Sequence, residues 1–465
     1  MYDFFKNINE KRDKVWFSTI GDNPRSITYG EYYDNICECY EKIRERCSDI
    51  KGKHVGVLVE NTYEYTVILG ALFMGRALIV PINTYEVDEI VNYIIDNADV
   101  EILIVSDKFA RFSSDITLSL SEITSFDASK HYDFDDSIDE CIEETSFMMY
   151  TSGTTGRPKG VIQPLSCHLN LMLKNFDVFR DFLSSIKAIY VTLPLYHVMG
   201  FYYYILSLKA GCVLYLNSDV GEMLYELETI KPDLVVATPA FIKILEIATK
   251  KTDNNGTDNL KYVVSGGADL KRSLVDKLKE KGIVCFNAYG MTETAGAGTF
   301  NFDTYNHLGS IGVASPNADI KFIDGEICIS CDSMMKGYYK NDEATAECLI
   351  DGYMHTGDLG YIDEEGYIYI TGRKKNLIIL SGGENISPEE IETKVYQNPL
   401  IKECIVFEKN DRIALAVYAP DASEDEVRNY VSELNEKLPI FKRIYSIEMR
   451  DGEFDKTASG KIKRS

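Results

Sequence analysis

The chain predicts an α/β fold. A large N-terminal domain of layered parallel sheets with helices, carrying a small β-rich subdomain, precedes a small, mobile α+β C-terminal domain. Three observations predict it: short β-branched runs alternate with helix-length stretches over the first three hundred residues, the texture changes to short strands and turns near residue 309, and a compact mixed segment follows Arg373. At 465 residues the chain also exceeds the size at which one hydrophobic core stops growing.

In the first part, HVGVLVE, ALIVPIN and VEILIVS read as strands and YTVILGALFMG as a helix between them. The apolar run YTVILGALFMGRALIVPIN is broken by Arg76 and is too short for a membrane span, so it reads as a buried helix followed by a strand. The alternation resumes after residue 185 with AIYVTLPL, CVLYLN, DLVVATPA, YVVSGGA and VCFNAYG. Each ends in turn or small polar residues, and ligand sites in such sheets gather at the carboxyl ends of strands. DIKFID, GEICISC and GYIYITG make the β-rich unit. Beyond a boundary at 372/373 come strands LIIL, ECIVFEKN and RIALAVYA, with helices near PEEIETKVY and EDEVRNYVSELNEK. The expected domains are therefore 1–372 and 373–465, and no internal repeat is visible.

Hydrophobic residues at 45% and charged residues at 26% describe an ordinary globular chain. The formal charge of −24 repels nucleic acid and anionic membranes, so no nucleic-acid partner is expected, and a bound polyanion must meet a local basic pocket. Eleven scattered cysteines and the absence of a leader-like start predict a reduced, cytoplasmic protein without a transmembrane segment. Cys328 and Cys331 have C-x-x-C spacing but sit in a strand-like run with no second pair, and no histidine spacing forms a ligand motif. Ordinary strand thiols are the expectation.

The chemistry concentrates in YTSGTTGRPKGV at Tyr150–Val161, which crowds four serine or threonine hydroxyls, three glycines and two cations into twelve positions. Glycines let the backbone N–H groups approach phosphate, hydroxyls donate to its oxygens, and Lys159 neutralises charge. A flexible polar loop would not explain that crowding. The spacing is not that of a Walker A loop, and no G-x-G-x-x-G follows a strand, which disfavours a nicotinamide dehydrogenase.

This loop resembles the signature of the adenylate-forming superfamily, which contains acyl-CoA synthetases, luciferase and the adenylation domains of peptide synthetases. In the family's order follow LPLYHVMG at 193–200, SGGA at 265–268, YGMTE at 289–293, HTGDLG opening 355–392, and KTASGKIKR at 456–464. SITYGEYYDN and GALFMGRALIVPIN match its amino-terminal patterns, so the resemblance spans essentially the whole chain. It implies an acid–thiol ligase: ATP and Mg²⁺ convert a carboxylic acid, fatty or aryl, to an acyl-adenylate with pyrophosphate release. A thiol then takes the acyl group, coenzyme A being favoured over a carrier-protein phosphopantetheine because the sequence ends at the last motif.

The resemblance assigns Thr151, Ser152, Gly153, Thr154, Thr155, Gly156 and Lys159 to phosphate and Tyr289 and Gly290 to the adenine and acyl-site wall, while Gly266, Gly267 and Ala268 are small enough for a flat base to pack on their backbone, although a plain tight turn explains them almost as well. Thr292 suits an α-phosphate oxygen, and Glu293 suits Mg²⁺. Alone, such a T-E pair would be unremarkable. Asp358 offers two acceptor oxygens to the ribose diol, with Arg373 beside it, although a lone T-G-D is as often a turn. His197 lines or gates the acyl pocket by resemblance, against the plainer reading of a core histidine. Lys461 is the mobile cation of adenylation, preferred over Lys456 from the motif register and against the plainer reading of a solvated tail. Lys375 is the expected hinge, and Gly383 faces the thiol channel.

The acid is expected to lack an α-ammonium group. Amino-acid-activating relatives place an aspartate after the strand that here reads IYVTLPLYHVMG, and this chain offers Tyr196, His197 and Val198 instead. Asp177 precedes the strand and should not reach the pocket. FYYYILSL suits a ring or alkyl chain, or is simply a buried helix. A non-catalytic nucleotide-binding protein is the alternative of another class; against it, none of the catalytic residue types is missing.

Overall fold

A computed structural model of the chain describes residues 4–21, 24–135, 137–140, 144–151, 157–217, 220–251, 259–268, 270–381, 384–456 and 462–464. It divides into two compact units, residues 1–320 with 329–354 and residues 321–328 with 355–465. Tyr353–Ile362 and Ile368–Arg373 form an antiparallel pair, with Asp358 opposite Arg373.

In the first unit, the start of the helix Tyr29–Cys47 is set by a capping box. The Glu31 N–H donates to Thr28 Oγ1 at 3.1 Å, and the Thr28 N–H donates to Glu31 Oε2 at 2.9 Å. The helix Tyr63–Met74 is apolar all round and buried at every position but Glu64. It leads into the strand Leu78–Pro81, as the interrupted apolar run predicted.

Two sheets organise this unit. One runs in the order Gly337–Tyr338, Lys159–Pro164, Ser146–Thr151, Leu78–Pro81, His54–Leu58, Ile102–Val105, Ile116–Ser119. The other contains Val284–Gly290, Tyr262–Gly266, Leu234–Ala237, Ala188–Val191, Val213–Leu216 and Val15–Ser18 as successive parallel neighbours. Gly298–Asn301 is added antiparallel beside Val284–Gly290. One continuous core joins Val55, Ile79 and Ile104 of the first sheet to Ile189, Val236 and Phe286 of the second through the helices Tyr29–Cys47, Tyr63–Met74, Leu165–Val178 and Val198–Ala210.

The run FYYYILSL falls in the helix Val198–Ala210, where Phe201, Tyr203, Tyr204, Ile205, Leu206 and Leu208 are all buried in that core. The buried-helix alternative is the one observed. Asp177 is exposed and pairs with Arg180 at 2.6 Å.

The second unit has its own core, in which Ile391, Val406, Leu415, Val417, Val427 and Val431 meet. Glu403–Glu408 and Ile413–Tyr418 pair antiparallel, Ile444–Met449 adds in parallel, and the helices Pro388–Val395 and Glu424–Glu436 complete the α+β segment. No described helix is long and apolar enough to cross a membrane.

Candidate active site

The phosphate-loop motif is the connection of a β-hairpin. Ser146–Thr151 and Lys159–Pro164 pair antiparallel with Thr151 opposite Lys159, so both ends of the loop are held by a ladder. Tyr93 fixes the outgoing side: its hydroxyl donates to the Pro158 carbonyl at 3.2 Å, and the Arg157 guanidinium lies 5.0 Å from its ring centroid. Ser152, Gly153, Thr154, Thr155 and Gly156 lie outside the described residues.

The YGMTE motif follows a strand end, as expected. Val284–Gly290 delivers Tyr289 and Gly290, and a single 3₁₀ turn, Thr292–Thr294, then presents Thr292 and Glu293. The turn is locked by Thr294, whose hydroxyl is 3.1 Å from the Met291 carbonyl and 2.5 Å from that of Ala297. Gly290 is demanded by space, because a Cβ there would stand 2.3 Å from the Gly296 carbonyl oxygen.

Glu293 is 7% exposed. Its Oε1 accepts a hydrogen bond from the Tyr338 hydroxyl at 2.7 Å, and among the described residues its carboxylate has no ion-pair partner. A buried carboxylate answered by one neutral donor fits a hard divalent cation, because a charge left so costs several kcal/mol unless a cation joins it. The Lys159 ammonium lies 4.9 Å from the centroid of the same Tyr338 ring. Tyr338 therefore brings the phosphate-loop lysine and Glu293 together, and reading the sequence did not single it out.

His197 immediately precedes the helix Val198–Ala210. The residue is exposed to solvent, and the protein packed around its ring pushes the imidazole down to about 4 by desolvation. The next two residues approach the other motifs. A Cβ on Gly266 would stand 2.6 Å from Met199 Sδ, and one on Gly296 would stand 3.4 Å from Val198 Cγ2. Gly267 has φ +79°, and Ala268 is exposed beyond the buried end of Tyr262–Gly266. Thus LPLYHVMG, SGGA and the segment after YGMTE converge, although they are distant in sequence.

In the second unit, Arg373 Nε is 2.5 Å from Asp358 Oδ1. Glu326, which reading the sequence also missed, holds the HTGD turn: its Oε1 accepts the Gly357 N–H at 2.9 Å, and its Oε2 lies 3.1 Å from His355 Nδ1 and 2.9 Å from Lys374 Nζ. Burial alone would raise its carboxyl, but these three partners outweigh it and hold the group below the ordinary glutamate range. Glu326, Cys328 and His355 place donor atoms within 4.8 Å of one another, a grouping that C-x-x-C spacing did not disclose, and Lys374 already supplies that carboxylate with a cation. Lys375 is exposed in the 3₁₀ turn Lys374–Asn376. Lys461 and Gly383 lie outside the described residues.

A layered α/β unit with a phosphate-loop hairpin and a strand-end carboxylate, together with a smaller α+β unit, is the architecture of an adenylate-forming enzyme. The chain belongs to the AMP-binding enzyme family, whose pattern matches residues 4–339, and residues 375–465 match the AMP-binding enzyme C-terminal domain. The 2-succinylbenzoate–CoA ligase of Listeria innocua serovar 6a is 30% identical over 459 residues, covering 94% of this chain and 93% of its own. The ligase of the same name from Bacillus velezensis is 26% identical over 463 residues, covering 95% and 92%. Among solved structures, the O-succinylbenzoate coenzyme A synthetase of Bacillus subtilis in complex with AMP shares the fold, with a TM-score of 0.83 at 23% identity over 99% of this chain and 96% of that one.

Proposed function

We propose that this acid–thiol ligase of the AMP-forming type activates an aryl carboxylic acid, with 2-succinylbenzoate as the leading substrate, and transfers the acyl group to coenzyme A. The observation that carries the chemistry is the buried Glu293 carboxylate, which has no ion-pair partner among the described residues and is joined through Tyr338 to Lys159. The choice of acid and thiol is supported by the relatives, which are named as ligases of 2-succinylbenzoate and CoA.

In the first step a carboxylate oxygen attacks the α-phosphorus of ATP, and pyrophosphate leaves. Thr151 to Gly156 and Lys159 bind the phosphates, the Thr292 hydroxyl donates to an α-phosphate oxygen, and Glu293 is the residue that holds Mg²⁺. Magnesium, when bound, neutralises phosphate charge. Gly266, Gly267 and Ala268 pack against the adenine, Tyr289 and Gly290 form the adenine and acyl-site wall, and Asp358 accepts from both ribose hydroxyls, where Arg373 joins it. Lys461 stabilises the charge on the attacked phosphorus. His197, held neutral, lines the acid pocket without adding a charge.

In the second step the chain pivots at Lys375, and a thiol passing Gly383 attacks the acyl carbon. AMP is the leaving group, and the thiol proton goes to solvent.

The test is pyrophosphate release across 2-succinylbenzoate, benzoates, fatty acids and amino acids, each with and without coenzyme A. Release with an aryl acid, with thioester only when coenzyme A is present, is the expected result. Robust exchange with a standard amino acid and none with aryl or fatty acids would overturn the reading.

A further inference from the structure

The segment 333–339 works as a buckle across the active-site elements. The Met335 N–H donates to the Glu293 carbonyl at 2.7 Å, and the Lys336 and Tyr339 N–H groups donate to the carbonyls of Ile162 and Gly160 at 2.8 Å each. Gly337–Tyr338 pairs with Lys159–Pro164, Tyr338 opposite Val161. The Tyr338 N–H donates to Thr345 Oγ1 at 2.9 Å. Gly337 allows that arrangement, with φ +148° and the Thr345 side chain 3.1 Å from where a Cβ would stand. The Tyr338 backbone is thus fixed on both edges, by the Lys159–Pro164 strand and by Thr345.

The Tyr338 side chain serves two groups at once. The hydroxyl donates to Glu293 Oε1 at 2.7 Å, and the ring face lies under the Lys159 ammonium. Burial first, and the Glu293 carboxylate next, push the phenol well above the ordinary tyrosine range, so at any workable pH it remains a donor and never a competing anion.

We propose that Tyr338 is a positioning residue for nucleotide binding: its hydroxyl aims the Glu293 carboxylate at the magnesium of MgATP, and its ring sets the height of Lys159. The inference rests on the function proposed above. It predicts that the two roles separate by atom, the hydroxyl governing the magnesium response and the ring governing affinity for the phosphates themselves.

Tyr338→Phe removes the hydroxyl and keeps the ring. The full chain and this variant are titrated calorimetrically with ATP, with and without Mg²⁺, and their thermal melts are compared without ligand. The expected result is unchanged ATP affinity without magnesium and a gain on adding magnesium that is reduced roughly tenfold, the scale of one hydrogen bond to a charged group. Acyl-adenylate formation should then need more magnesium, whereas thioester formation from supplied acyl-adenylate stays at the parent rate.

Thr345→Val, which removes the acceptor for the Tyr338 N–H without touching the site, should show the same loss in weaker form. It carries the test if the Tyr338 variant melts early. A full magnesium gain in folded Tyr338→Phe, or in Thr345→Val where the former does not fold, overturns the proposal. If the parent chain shows the magnesium gain but releases pyrophosphate with no acid, the functional reading fails while calorimetry still decides the role of Tyr338.

Discussion

Asp358 and Arg373 face each other across an antiparallel ladder, and the guanidinium meets the carboxylate at 2.5 Å while retaining 41% exposure against 5% for the aspartate. The pair is asymmetric: a buried acceptor is held from one side by a cation that still reaches solvent. Asp358→Asn keeps the shape but gives one acceptor in place of two, so we predict that KM for ATP rises by about tenfold or more with little change in melting temperature. Arg373→Leu removes this guanidinium from the buried carboxylate and should lower stability as well, by about 1–3 kcal/mol. Steady-state kinetics and denaturant unfolding check the split, and equal loss of stability in both variants would refute it.

Lys461→Ala should reduce acyl-adenylate formation by at least about a hundredfold, the scale of removing a transition-state donor. Conversion of supplied acyl-adenylate to thioester should continue near the parent rate. The two half-reactions are measured separately by pyrophosphate release and thioester yield. Loss of both to the same extent in a folded variant would move the role to another lysine, of which Lys456, already paired with Glu403 at 2.5 Å, is the alternative.

Lys375 is exposed in a one-turn 3₁₀ segment, a short element of the kind that absorbs backbone rotation. Proline there restricts φ, so Lys375→Pro should slow thioester formation severalfold more than adenylation. The ratio of the two half-reaction rates is the measurement, and an unchanged ratio argues against a pivot at this residue.

His168 is buried between the rings of Phe147 and Phe201, with no hydrogen-bond partner for either ring nitrogen among the described residues, and burial pushes it down to about 3. Below about pH 6.5 the unfolded chain takes up a proton that the folded chain refuses, so stability falls with acidification by up to about 1.4 kcal/mol per pH unit until roughly the folded value. Above that window this residue contributes no slope. We predict that His168→Phe flattens the acid limb, the variant losing less stability than the parent between pH 7 and pH 5 in denaturant unfolding. Parallel curves would dismiss the effect.

The parts of the site legible in sequence are those whose chemistry is local. The phosphate loop announces itself by residue types packed into a few positions, whereas Thr292–Glu293 and Asp358 are singled out only by the order of the motifs along the chain. Tyr338 is not, because its contact with Glu293 spans 45 residues and is created by strand pairing. Glu326 stands 48 residues from Lys374 in an unremarkable strand, and only the ladder around Gly357 shows what it holds. FYYYILSL was ambiguous for a different reason: a helix apolar on every side has no face from which to infer its neighbours. The parallel strand Ile444–Met449 escaped notice because IYSIEM mixes charge with apolar residues and is only half buried.

The helix Val198–Ala210 has a further consequence. From Gly200 to Leu208 all but Tyr202 are sunk in the core, while His197, Val198 and Met199 at its head remain reachable. The head can be recut by substitution while the shaft stays seated, much as a tool changes its bit and keeps its handle. On the function proposed above, substitution at His197 would change the acid accepted while the buried shaft keeps its packing in the core.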